Sequence, residues 1–227
     1  MWPFTKTTED PIVQHYLEGR SRARPSGKAH IEDIRLVVLD AETTGLMVDR
    51  DRILSLAAAE VEGGRMPMAK MRSWLVYQSK ATANDAVAVH GITPAETARG
   101  EPEKQVIGEV MRLLSGAVLV GHHIGFDAAV LDLAMRRHYK TKLYNPMIDT
   151  ALLAMGELEA FRRTGYANQR PPSLEELCAH CGIPMMERHT AEGDVFTTSE
   201  LFLILCARRK KRVGRPLEWR DMPTTKL

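Results

Sequence analysis

Residues 36–46 read "LVVLDAETTGL", an unbroken apolar run that gives way to two carboxylates, two threonines and a glycine. Strands buried on both faces are written as continuous Leu/Val/Ile runs, so the stretch up to Leu39 predicts a central strand of a covered sheet with its acids at the edge. Side chains alternate along a strand, which puts Asp40 and Glu42 on one side and Ala41 on the other. Two like charges held that close are unfavourable unless a cation neutralises them, and a divalent metal is the usual one.

Working outward, "RILSLAAAEV" at 52–61, a Gly63-Gly64 turn and "MRSWLVY" at 71–77 complete a three-strand meander. The pattern then alternates helix and strand, which favours parallel pairing through crossovers. "EKQVIGEVMRLLSG" at 103–116 carries Val106, Val110 and Leu113 or Leu114 at helical spacing, with Gly116 as its stop. "AVLVGHH" reads as a strand, "FDAAVLDLAMRRH" as a helix, and "YNPMIDT" as a short strand opening a helix through Phe161. Two more helices are expected at Leu174–Cys181 and Ala191–Arg208. The sum is an α/β domain at residues 31–208: a mixed five-stranded sheet with helices on both faces. Residues 1–30 are composed as a polar N-terminal extension, with "PIVQHYLEG" at 11–19 able to form one amphipathic turn or two and "RSRARPSGKAH" at 20–30 linker-like, and residues 209–227 as a basic C-terminal tail.

A chain of 227 residues with 44% apolar composition can bury a real core. Its formal net charge of +2 excludes a whole-molecule polycation, so any argument for nucleic acid must be local. Three cysteines without framework spacing argue for a reducing compartment. With no secretory leader and no apolar run of about eighteen residues, a cytoplasmic protein without a membrane contact is expected.

Three places bring carboxylates to strand or helix ends. The first is Asp40-Ala41-Glu42, followed by a Thr43-Thr44-Gly45 turn where a backbone can approach a ligand closely. The second is "VGHHIGFDAAVL" at 120–131, where Phe126, Val130 and Leu133 share a stripe and Asp127 falls in the helix's first turn. The helix dipole alone could account for an acid there. The third is "RHTAEGDVFTTSELFLILC": His189 and Asp194 are five positions apart, so the two diverge on one continuous helix. They converge if Thr190 is the N-cap and His189 lies before the helix. Each site alone has a structural explanation. Together, four acids and a histidine stand where open α/β sheets gather their ligands.

The order Asp-x-Glu, Asp, His-x4-Asp resembles the histidine branch of the DEDD superfamily of 3′–5′ exonucleases, the DnaQ-like group that includes the polymerase III epsilon subunit and ribonuclease T. The likeness runs from about Arg35 to Leu205 and takes in "VHGIT" at 89–93 and "SLEELCAHCGI" at 173–183. It implies a ribonuclease H-like α/β/α fold and release of nucleoside 5′-monophosphates from DNA or RNA 3′ ends. By the same resemblance, Asp40, Glu42, Asp127 and Asp194 hold two Mg²⁺ or Mn²⁺, and His189 takes the proton from the attacking water. Imidazoles titrate near neutrality, as such a base requires. Backbone groups at Thr43 and Thr44, with Gly45, would receive the terminal nucleotide, Leu46 would wedge against its base, and His90 would contact it or pack under the third strand. His123 stands where the family often has asparagine, and Val195 where alanine is commoner.

Cys178-x-x-Cys181 has no second pair and reads as a buried helical stripe with Leu174 and Leu177. "RRKKR" at 208–212 reads as a solvated helix end or a modest phosphate grip. The stretch after the last predicted helix is shorter than the segment with which epsilon holds its polymerase, so a stand-alone exonuclease, or one serving another partner, is expected. Two other readings stay open: a catalytically silent relative that binds nucleic acid or tethers a partner, and another Mg²⁺ phosphotransfer enzyme on the same scaffold. DNA versus RNA preference and oligomeric state have no signature in the residues.

Overall fold

The structure, a computed structural model, describes residues 10–79, 85–162, 169–185 and 187–225. The meander is present as β1 (Leu36–Thr43), β2 (Ile53–Val61) and β3 (Arg72–Leu75), followed by the parallel strands β4 (Val118–Gly121) and β5 (Met147–Asp149). A sixth strand, β6 (Thr224–Thr225), pairs antiparallel with β5, so the sheet runs β3-β2-β1-β4-β5-β6. The expected count of five is therefore corrected to six. Two residues of polar tail are too short for any periodicity, and only their pairing to the exposed edge of β5 makes them a strand.

The helices are α1 (Pro11–Glu18), α2 (Asp85–His90), α3 (Pro94–Thr97), α4 (Glu103–Leu114), α5 (Gly125–Tyr139), α6 (Thr150–Glu157), α7 (Leu174–Cys181) and α8 (Ala191–Val213). They cover both faces. Val37 and Leu39 of β1 face one core with Val106, Val110 and Leu114 of α4 and Ala128 and Leu131 of α5. Leu36 and Val38 face the other, with Leu153 of α6, Leu177 of α7 and Val195 and Leu201 of α8. The same alternation aims the acids at the end of the strand, because Asp40 and Glu42 continue the Leu36/Val38 side, toward α8. Ala41 packs on the opposite core, beneath α5.

Within the segment read as a polar extension, the helix α1 packs against α4. Asp10 caps α1, with its Oδ1 accepting from Ile12 N–H at 2.9 Å. Val13 and Tyr16 are buried in the α4/α5 core. The Tyr16 hydroxyl donates to Asn145 Oδ1 at 2.6 Å and accepts from the Tyr144 N–H at 2.9 Å. Asn145 in turn donates to the carbonyls of Leu114 and Ala117.

At the other end of the chain α8 passes Arg208 and stops at Gly214, which caps it at φ +76°. Basic side chains are favoured in a last helical turn, and here they are also paired: Arg209 and Arg212 with Glu157, Lys210 with Glu32. Cys178 lies in the core beside Leu174 and Leu177, as its helical spacing predicts. No described helix is long and apolar enough to cross a membrane.

Candidate active site

Asp40 and Glu42 on β1 and Asp194 on α8 each offer a carboxylate oxygen within 4.8 Å of the others. The strand's alternation brings the first two together, and the cap of α8 brings the third. Thr190 is that cap, its hydroxyl accepting from Gly193 N–H at 3.1 Å, so Asp194 falls in the first turn facing the sheet. His189 sits just before the helix in a left-handed conformation (φ 64°), five positions ahead of Asp194. Asp127, in the first turn of α5, approaches from the opposite layer. Its Oδ1 accepts from the Ala41 N–H at 3.1 Å, so it joins the site across the strand end and lies outside the trio of closest oxygens.

Crowding and burial act on every acid. Burial first, then the charges of Asp127, Asp194 and Glu42, holds the Asp40 carboxyl well above the usual carboxylate range. Burial, then Asp194 and Asp127, raises Glu42 to about 7. Asp127 is also raised to about 7 by burial, against the hydrogen bond from Ala41 that favours its ionised form. Asp194 is raised by burial and opposed by Arg188. Among the described residues no donor reaches the carboxylates of Asp40 or Glu42, and Oδ1 of Asp194 is buried without a hydrogen-bond partner. Convergent hard oxygens with unused lone pairs fit a divalent cation.

The turn after β1 is held by Asp51, a residue that sequence reasoning passed over. Thr44 is fully engaged: its N–H donates to Arg52 O at 2.9 Å, its hydroxyl to Asp51 Oδ1 at 2.8 Å, and that hydroxyl accepts from Arg52 N–H. The second Asp51 oxygen accepts from Met47 N–H at 2.6 Å. Gly45 is needed at this clasp, since a Cβ there would stand 2.7 Å from Asp51 Oδ2. The Thr43 hydroxyl donates to Gly45 O at 2.6 Å. Leu46 is 84% and Met47 53% exposed at the tip of this turn. A groove of about 270 Å³ lined by Ser55, Ser73, Leu75, Ile92, Thr190 and Glu192 runs along the same side of the sheet. A second cavity, of about 200 Å³ and lined by Leu36, Val61, Phe202 and Leu217, lies at the far end of β1 from the acids.

His90 ends α2 and is buried. Its Nδ1 accepts from Ile92 N–H at 3.0 Å, which leaves the proton on Nε2, a buried atom without a described partner. Other residues carry no local signal for the site. Arg188 bridges Glu175 of α7 and Asp194 of α8. Asp149 is legible as the N-cap of α6, accepting from Ala151 N–H at 2.9 Å, but its charge also acts on Asp127.

A sheet of this order, layered by helices and carrying acids at the ends of its parallel strands, is the fold of the ribonuclease H-like exonucleases. It resembles Escherichia coli Exonuclease I in complex with a dT13 oligonucleotide, with a TM-score of 0.65 at 21% identity over 80% of this chain and 42% of that one. The Exonuclease I of Methylocaldum szegediense gives a TM-score of 0.62 at 22% identity, over 80% and 41%. Residues 37–202 match the RNase_T exonuclease family, and the chain belongs to it. The matched span is that family's exonuclease domain. A DNA polymerase III subunit epsilon-like protein of Rhodobacter capsulatus is 31% identical over 202 residues, 86% of this chain and 27% of the relative. The DNA polymerase III subunit epsilon of Treponema pallidum is 26% identical over 86% of this chain and 87% of its own length. The chain thus spans about a quarter of the first relative and nearly all of the second.

Proposed function

We propose that the protein is a metal-dependent 3′–5′ exonuclease releasing nucleoside 5′-monophosphates from DNA or RNA ends. The observation that carries this is the trio Asp40, Glu42 and Asp194 within 4.8 Å, with a buried acceptor left unused on Asp194. Asp40, Glu42, Asp127 and Asp194 would hold two Mg²⁺ or Mn²⁺, which supply positive charge to the attacking and departing oxygens of a phosphodiester.

The remaining work belongs to the chain. His189, at the entrance of α8, takes the proton from the attacking water. The Asp51 clasp fixes the turn Thr43–Leu46, so that the exposed Leu46 meets the terminal base without first being ordered. Of the two roles for His90, nucleotide contact or packing under the third strand, its burial and its bond from Ile92 N–H support packing. The oligonucleotide in the Exonuclease I complex and the names of the epsilon relatives support nucleic acid as substrate and a polymerase as partner.

The test is to incubate 5′-labelled single strands of matched DNA and RNA with the protein in Mg²⁺ or EDTA. A Mg²⁺-dependent ladder descending from the 3′ end is expected. Internal cuts indicate a different phosphotransfer enzyme, binding without cleavage a silent relative, and either refutes the proposal.

A further inference from the structure

Arg188 is committed at both ends, and one end holds an acid of the site. One Nη pairs with Oδ2 of Asp194 and the other with Oε1 of Glu175 on α7. Among the described residues it is the one cationic side chain paired with Asp40, Glu42, Asp127 or Asp194. Only 23% of its side chain is exposed, and its Nε is buried without a described partner. Without a metal, this guanidinium is therefore the resident positive charge among crowded acids.

A guanidinium and a divalent cation on one carboxylate repel each other across a few ångströms. Glu175 lies outside the trio, so it can keep Arg188 at the rim when Asp194 is given up. The anion that arrives there is a phosphodiester, and the planar guanidinium fork fits phosphate oxygens as well as it fits a carboxylate.

We infer that Arg188 exchanges partners: it pairs with Asp194 while the acids lack a divalent cation and with a non-bridging phosphate oxygen of the nucleotide once they hold one, anchored on Glu175 throughout. This rests on the metal-dependent reading of the site. It requires one substitution to move two affinities in opposite directions, because Arg188 competes with the cation and assists the phosphate.

The test is calorimetry on the metal-free full chain at pH 8.5, titrated with Mn²⁺ and then, at saturating Mn²⁺, with thymidine 5′-monophosphate. Arg188→Gln is expected to bind Mn²⁺ about tenfold more tightly and the nucleotide about tenfold more weakly. A merely structural role weakens both, and that result, or no change in either, overturns the exchange. Wild-type protein that binds no Mn²⁺, or Mn²⁺ binding that survives Asp40→Asn, overturns the metal-dependent reading instead. Should Arg188→Gln fail to fold, the guanidinium ¹⁵N signals of wild-type Arg188 carry the test. They are expected to shift on adding Mg²⁺ and again on adding the nucleotide, and signals indifferent to both overturn the exchange.

Discussion

Asp40→Asn should make the metal-free protein more stable and the metal-loaded protein relatively less so. The carboxylate oxygens of Asp40, Glu42 and Asp194 lie within 4.8 Å of one another. At that spacing a like-charged pair repels by roughly 3 kcal/mol at an effective dielectric of about 20. Arg188 offsets part of this, as does the acids' retention of protons, so at pH 8 the net relief on removing one charge is about 2 kcal/mol. In a chain of this size that raises Tm by roughly 4–8 °C. With Mn²⁺ at roughly 100 times its dissociation constant, wild-type gains about 2.7 kcal/mol while the variant gains little. Thermal melts by circular dichroism in EDTA and in Mn²⁺ should therefore show the order of stabilities cross. A variant that melts below wild-type in EDTA would refute the claim that these acids are held in mutual repulsion.

Three further outcomes rest on named contacts. With Glu42 and Asp127 raised to about 7, the folded metal-free protein holds protons more tightly than the unfolded chain. Its stability should fall as pH rises from about 4.5 to about 7, and Mn²⁺ affinity should rise over the upper part of that window as protons stop competing; urea midpoints and calorimetry across pH check both signs. His189→Ala should lower the turnover of labelled strands by at least about a hundredfold while Mn²⁺ affinity measured without substrate stays put. Tyr16→Phe removes the donor to buried Asn145 and the acceptor for Tyr144 N–H, and should cost about 1–3 kcal/mol in urea denaturation.

Periodicity reported well on what is local. The apolar run of β1 located its strand, and alternation placed Asp40 and Glu42 together toward α8. Thr190 was legible as a cap because a hydroxyl before an apolar-periodic run satisfies the first free N–H groups of a helix, as it does at Gly193. What stayed hidden depends on partners far along the chain. The amphipathic turns of α1 are legible, with Val13 and Tyr16 on the buried face, but its docking is not, since the bond that ties it down reaches Asn145, 129 residues away. Arg188 finds Glu175 through the packing of α7 against α8, which leaves no pattern in either segment. The basic run at 208–212 was legible as a helix end, but its partners Glu157 and Glu32 were not, because the fold brings them alongside from distant segments as the helix continues to Val213.

The most direct measurement is anomalous diffraction from crystals of the protein grown metal-free and soaked in Mn²⁺ with thymidine 5′-monophosphate. Two peaks about 3.5–4 Å apart are expected, one of them touching Asp40, Glu42 and Asp194. Peaks elsewhere, or acids that stay bare beside a bound nucleotide, would contradict the account.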